Sequence, residues 1–137
     1  MEIQSAIAIG AASGLAASLI IRPLWSTLIA RGNGELWRVS NTLTETLYIA
    51  AHALAGAAQG LVFWLSWGLA AIVAVPWWQR GLSVGLVNAA LLVLPPTLIA
   101  ASLVRGSRTV YLVLITEALV TSLCVGLACS WTWAHSP

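Results

Sequence analysis

The sequence predicts an all-α protein that crosses a lipid bilayer with four helices. Three observations predict it. Charged residues make up 7% of the 137 residues and hydrophobic ones 60%, against roughly 25% charged in a water-soluble domain. A chain so poor in charge cannot cover a water-facing surface, and the solvent that accepts its side chains is hydrocarbon. The apolar residues fall into four runs, about 3–30, 43–75, 81–104 and 110–133, each at or above the roughly 20 residues a span needs. Short polar breaks separate the runs. The chain therefore reads as one transmembrane domain, an integral-membrane four-helix bundle.

The elements follow in order. Met1-Glu2-Ile3 has no basic stretch ahead of the first apolar run, so that run is expected to be a retained span rather than a cleaved signal. Its small residues Ala11, Ala12, Ala16 and Ala17 suit close helix packing in lipid. The first two runs are longer than a span requires and must tilt or project beyond the bilayer. Arg31-Gly32-Asn33-Gly34-Glu35 is a polar connection, and Asn41 or Thr42 can cap the helix that follows. Pro76-Trp77-Trp78-Gln79-Arg80 reads as a hinge with interfacial aromatics, and Arg105-Gly106-Ser107-Arg108-Thr109 as a tight basic loop.

Orientation follows from the arginines. All six basic residues are Arg, and the acids are Glu2, Glu35, Glu45 and Glu117. With four spans, the first and third loops share a side that holds Arg31, Arg38, Arg105 and Arg108, while Arg80 stands alone opposite. The positive-inside rule places both termini on the side away from the cytoplasm, which is the periplasmic side if the membrane is the bacterial inner one that the resemblance described below implies. Trp77, Trp78, Trp131 and Trp133 then form an outer aromatic belt, and Trp37, Tyr48 and Tyr111 lie toward the inner one.

The two halves look alike. Gly10-x-x-x-Gly14 in the first span matches Gly81-x-x-x-Gly85 in the third, and Pro23 and Pro95 follow at nearly equal distances. Spans one and three run in the same direction, so a duplication would give two parallel two-helix repeats. The ordinary frequency of glycine pairs in membrane helices is the competing explanation.

Polar residues inside the spans carry the functional content. Counted inward from the cytoplasmic boundary, Arg22, His52 and Glu117 all lie about 10–13 Å deep at the helical rise per residue, and Pro96 falls near the same level. Even the mild insertion scale charges about 2.5–3.5 kcal/mol for a lone charge at mid-bilayer. Arg22 is therefore expected to pair with Glu117, with His52 beside them. Glu45, His52, Gln59 and Ser66 repeat every seven residues on one face of the second span, and Gly81, Asn88, Pro95 and Ser102 form a weaker facing series in the third. This polar seam is either interhelical hydrogen-bonding glue or a water-lined path. The layer of three ionisable groups is either a register-fixing ion pair or a proton or ion pathway.

Other chemistries are excluded by what would have to stand together. His52 is the only histidine within a span, so no bis-histidine haem and no zinc site is expected, and Cys124 and Cys129 lack metal-type spacing. No phosphate loop or nucleophile motif occurs, so no catalytic residue is assigned and the chain is not expected to act alone as an enzyme. A net charge of +2, scattered along the chain, offers no nucleic-acid surface. No cofactor is assigned, because one held mainly by apolar contacts leaves no motif. His52-x-x-x-Gly56-x-x-x-Gly60 followed by aromatics, with Arg80-Gly81 at the third span, resembles small, uncharacterised four-helix bacterial inner-membrane proteins. The resemblance covers about half the chain and implies that location and no particular activity. Beyond the bilayer itself, two functions remain. The leading one is an accessory or structural subunit packed against a larger membrane complex. The alternative is a small oligomeric transporter or channel using the Arg22, His52 and Glu117 layer.

Overall fold

The computed structural model describes residues 1–33, 42–70, 74–103 and 108–136. The described residues form four helical rods and no strand. The first rod is α1 (Ile3–Asn33) and the second α2 (Thr42–Ala70). The third joins α3 (Trp77–Asn88), a π-helical turn (Ala89–Val93) and α4 (Leu94–Leu103). The fourth is α5 (Arg108–His135). Each rod contains a stretch of 21 to 25 residues, of mean hydropathy 1.4 to 2.1, long and apolar enough to cross a membrane. In such segments only a helix pairs every backbone N–H and C=O internally.

Four boundaries differ from the sequence expectation. The hinge expected at 76–80 is the first turn of α3, because Pro76 sits at the N-cap, with φ −56° and ψ 147°. Its carbonyl accepts the Arg80 N–H at 3.1 Å, and its missing donor costs nothing where helical N–H groups are unpaired anyway. The second helix accordingly closes earlier than residue 75, since residues 74–76 are not helical. Arg31, Gly32 and Asn33 continue the helical backbone of α1, and Arg108 and Thr109 already belong to α5.

The third rod is interrupted for a covalent reason. Pro95 and Pro96 lack the N–H groups that would reach the carbonyls of Leu91 and Leu92, and their rings crowd the preceding turn. The helix widens there, with the Leu94 N–H donating to the Ala89 carbonyl five residues back, as a π-turn does. The Thr97 hydroxyl donates to the Val93 carbonyl at 2.6 Å.

The rods pack as two tight pairs, α1 with α2 and α3 with α5, joined along α1 and α5. Glycine makes both pairs possible. A Cβ on Gly10 would strike the Gly56 carbonyl and lie 2.9 Å from the Gly60 Cα, and one on Gly85 would lie 2.9 Å from both the Leu123 Cα and the Ser122 carbonyl. Gly10 and Gly14 thus serve the first pair as Gly81 and Gly85 serve the second, which is a shared packing device. Between the pairs lie Phe63, Val125 and Cys129, with Ile9, Val84 and Trp133 against them. The polarity runs inside out. Ser18, Gln59, Asn88, Glu117, Thr121, Ser122 and Ser130 are all buried, whereas Leu54, Leu91, Leu103 and Leu112 are each at least 65% exposed. Small and polar residues inside with leucine outside is the arrangement hydrocarbon favours.

Candidate functional site

The site is assembled by helical spacing. Tyr48 and His52 lie one turn apart on α2, Glu117 and Thr121 one turn apart on α5, and Ser18 and Arg22 one turn apart on α1. Residues four apart share a face, so each helix brings two polar groups to the same level. Close packing of α1 on α2 at Gly14 and Gly56 brings the three faces together.

Glu117 is the centre. Its Oε1 lies 3.2 Å from His52 Nε2 and also accepts a hydrogen bond from the Tyr48 hydroxyl. His52 Nδ1 lies 2.9 Å from the Tyr48 backbone carbonyl. That geometry constrains the protons. A carbonyl only accepts, so Nδ1 must carry a hydrogen. Nε2 of a neutral ring would then be an acceptor facing a carboxylate acceptor. One proton must therefore stand between His52 and Glu117, on either partner. The Tyr48 and His52 rings lie 4.1 Å apart between centroids, and the Arg22 guanidinium sits over the Tyr48 ring at 4.3 Å. Ser18 adjoins the Tyr48 phenol, while its hydroxyl donates to the Leu15 carbonyl at 2.8 Å.

The cluster opens into a cavity of about 300 Å³ between α2 and the third rod, floored by α5. Its apolar walls include Ala51, Ala55, Val93, Leu114 and Ala118, and its polar lining is Tyr48, His52, Gln59, Thr97, Glu117 and Thr121. The cavity exists because α2 and the third rod meet sparingly. Asn88 Nδ2 reaches the Gln59 carbonyl at 3.5 Å, and beyond Asn88 the π-turn and the proline pair carry Val93 and Thr97 along the opposite wall. Thr97 and Thr121 spend their hydroxyls on their own helices. Gln59 is 3% exposed, and its Oε1 has no hydrogen-bond partner.

Neither a protein-family model, nor a curated protein, nor a solved structure matches this chain. The reading therefore rests on the site's own chemistry.

The structure brings Arg22, His52 and Glu117 to one level, with a different pairing from the one expected. Glu117 engages His52 and Tyr48 directly, and Tyr48 stands between the carboxylate and Arg22. The bulky phenol takes the place of a direct ion pair, and the cation rests on the π face. Tyr48 is the residue the sequence reading missed, by assigning it to the interfacial belt. Its position four before His52 was the available signal. Of the polar seam, Gln59 lines the cavity and Asn88 bridges to its carbonyl, but Ser66 lies outside the cavity and donates to the Phe63 carbonyl at 3.0 Å. The side chain of Glu45 lies outside the described residues. Among the described residues no three His, Cys, Asp or Glu side chains gather as metal ligands, and both cysteines are free thiols.

Proposed function

We propose that this chain is a multi-pass membrane protein acting as a small transporter, with the cavity as its substrate site and the Tyr48, His52 and Glu117 cluster as its proton-exchanging element. One observation carries the reading: a His–Glu pair that must share a proton faces a cavity between helices. Intramembrane ionisable residues that face a cavity are where proton and substrate pathways run. The inside-out distribution of polarity supports the membrane setting. The arginine asymmetry and the resemblance to bacterial inner-membrane proteins support that membrane, with both termini periplasmic.

The test follows the proton. The protein is reconstituted in lipid and stepped through pH while the carboxyl and imidazole bands are recorded by infrared difference spectroscopy. A titrating carboxyl band that disappears in Glu117→Gln and shifts in His52→Gln is expected. A carboxyl spectrum insensitive to pH throughout the folded range would overturn the reading.

A second reading is an accessory subunit of a larger membrane complex. It is favoured by the sparse contact between α2 and the third rod, a gap that a helix of an adjoining subunit can fill. A stoichiometric larger partner co-purifying in mild detergent, and shielding a Thr97→Cys probe from labelling, would select it. Exposure of that probe in the purified chain together with the pH-titrating carboxyl selects the transporter.

A further inference from the structure

The charges around the shared proton do not cancel while it is bound. Arginine keeps its positive charge inside a protein, and the Arg22 guanidinium lies 4.3 Å from the centre of the Tyr48 ring. His52 and Glu117, with one proton between them, are neutral as a pair. The three side chains together therefore carry one positive charge with the proton in place and none once it has left. Release is the step that brings this polar layer to electroneutrality.

Without Arg22 the order would be reversed. The pair would be neutral with its proton and would carry one uncompensated negative charge after release. Such a charge is strongly unfavourable in hydrocarbon, so the proton would be held. A pair that holds its proton cannot exchange it.

The path from the guanidinium to the carboxylate runs through one side chain. The cation rests on the π face of Tyr48, and the Tyr48 hydroxyl donates to Glu117 Oε1. A cation over the ring draws electron density from it, which makes the phenol a stronger donor. A stronger donor favours the ionised carboxylate. Charge and hydrogen bond thus act in the same direction. Helix packing builds the arrangement. Arg22 stands one turn beyond Ser18 on α1, Ser18 adjoins the Tyr48 phenol, and the contact of Gly14 with Gly56 holds α1 against α2. Arg22 is half-buried and does not line the cavity, so it acts from behind the wall rather than on a ligand.

We propose that Arg22 is a positioning residue, the fixed counter-charge that lets the His52–Glu117 pair release its proton within the bilayer, acting across the Tyr48 ring. It rests on the proton-exchange reading above. One proton passes from the pair to solvent, and no covalent bond between heavy atoms is made or broken. Among the described residues, the charged and titratable groups around that proton are Arg22 from α1, Tyr48 and His52 from α2 and Glu117 from α5. The third rod contributes Val93 and Thr97 to the cavity wall, neither of which titrates.

The test uses the full chain in nanodiscs of phosphatidylcholine and phosphatidylglycerol, with the carboxyl band followed by infrared spectroscopy through a pH titration. Removing the cation disfavours the ionised pair, so Arg22→Gln should retain the proton to higher pH. A guanidinium over the ring face and a carboxylate at the phenol oxygen are about 7 Å apart, and with an effective dielectric of about 20 and solvent screening of a half-buried cation the midpoint should rise by about one pH unit. Arg22→Lys keeps the charge and should recover most of that rise. If Arg22→Gln fails to fold, the unmutated protein is labelled with heavy nitrogen in its arginine side chains. A label-sensitive guanidinium band should then change at the same pH as the carboxyl band.

An unchanged or lowered midpoint in folded Arg22→Gln overturns the assignment, as do guanidinium bands that ignore the carboxyl titration. A rise that Arg22→Lys fails to reverse assigns Arg22 to packing and overturns it as well. In each of these cases a titrating carboxyl in the unmutated protein leaves the proton-exchanging pair standing. A carboxyl that does not titrate in the unmutated protein overturns the reading beneath.

Discussion

Replacing single glycines by alanine should destabilise the protein in an order set by what each new methyl meets. At Gly56 the methyl would strike the Gly10 carbonyl oxygen, with the Gly10 carbonyl carbon at 3.0 Å and the Ala11 Cα at 3.2 Å. All three are backbone atoms, so no rotamer change relieves the overlap, and α1 must move off α2. At Gly60 the obstacles are the Ala6 carbonyl, its carbon at 3.0 Å, and the Gly10 Cα at 3.2 Å. At Gly14 the methyl would find the Gly56 Cα at 3.1 Å, a Val125 methyl at 3.3 Å and the His52 carbonyl at 3.5 Å, tight but nearly accommodated. Overpacking costs about 1–3 kcal/mol, and glycine to alanine returns about 0.5–1 kcal/mol within a helix. Gly56→Ala and Gly60→Ala take the upper overpacking figure and lose about 2 kcal/mol net. Gly14→Ala takes the lower one and lands within about 0.5 kcal/mol of the parent. Gly126→Ala, which would strike the Gly81 carbonyl, should match Gly56→Ala. Unfolding by steric trapping in bicelles measures these differences. Gly14→Ala as harmful as Gly56→Ala would refute the reasoning, because helix separation would then not be governed by backbone contact.

Tyr48→Phe and Glu117→Gln should be coupled by about 1.5 kcal/mol in a double-mutant cycle, near the upper limit for interhelical hydrogen bonds in a membrane, and more strongly than Arg22→Gln and Glu117→Gln. Additive losses for the first pair would count against Tyr48 as the donor. Pro95→Ala combined with Pro96→Ala restores two backbone donors, so the π-turn should tighten and thiol labelling of a Thr97→Cys probe should slow; unchanged labelling would detach the cavity from the proline pair. Reporter fusions at Pro137 and Asn33 should give opposite signals, with Pro137 on the periplasmic side. Cytoplasmic activity at Pro137 would reverse the orientation.

The four apolar rods were legible because hydropathy over some twenty residues is a property of composition, insensitive to what each helix touches. His52 and Glu117 were legible for a related reason: ionisable groups at equal depth in hydrocarbon must find each other. Tyr48 was not, because a tyrosine near a helix end also suits the interface, and only the packing of α1 on α2 decides which way the phenol turns. The start of α3 was misread because proline and tryptophans make a good hinge and an equally good first turn. The π-turn was not legible from Pro95 and Pro96, because a proline pair lets a helix either kink or widen, and the packing against α5 decides which. The cavity could not be read at all, since it is the space left where α2 and the third rod fail to close.

The glycine contacts have a mechanical consequence. Backbone lies against backbone at these glycines, so α1 with α2, and α3 with α5, pack as two close plates. The two pairs meet along the seam between α1 and α5. His52 and Tyr48 ride on one plate and Glu117 on the other, so the proton-sharing contact of 3.2 Å is a latch across that seam. A tilt that widened the cavity would lengthen this same contact, because its two partners stand on opposite plates.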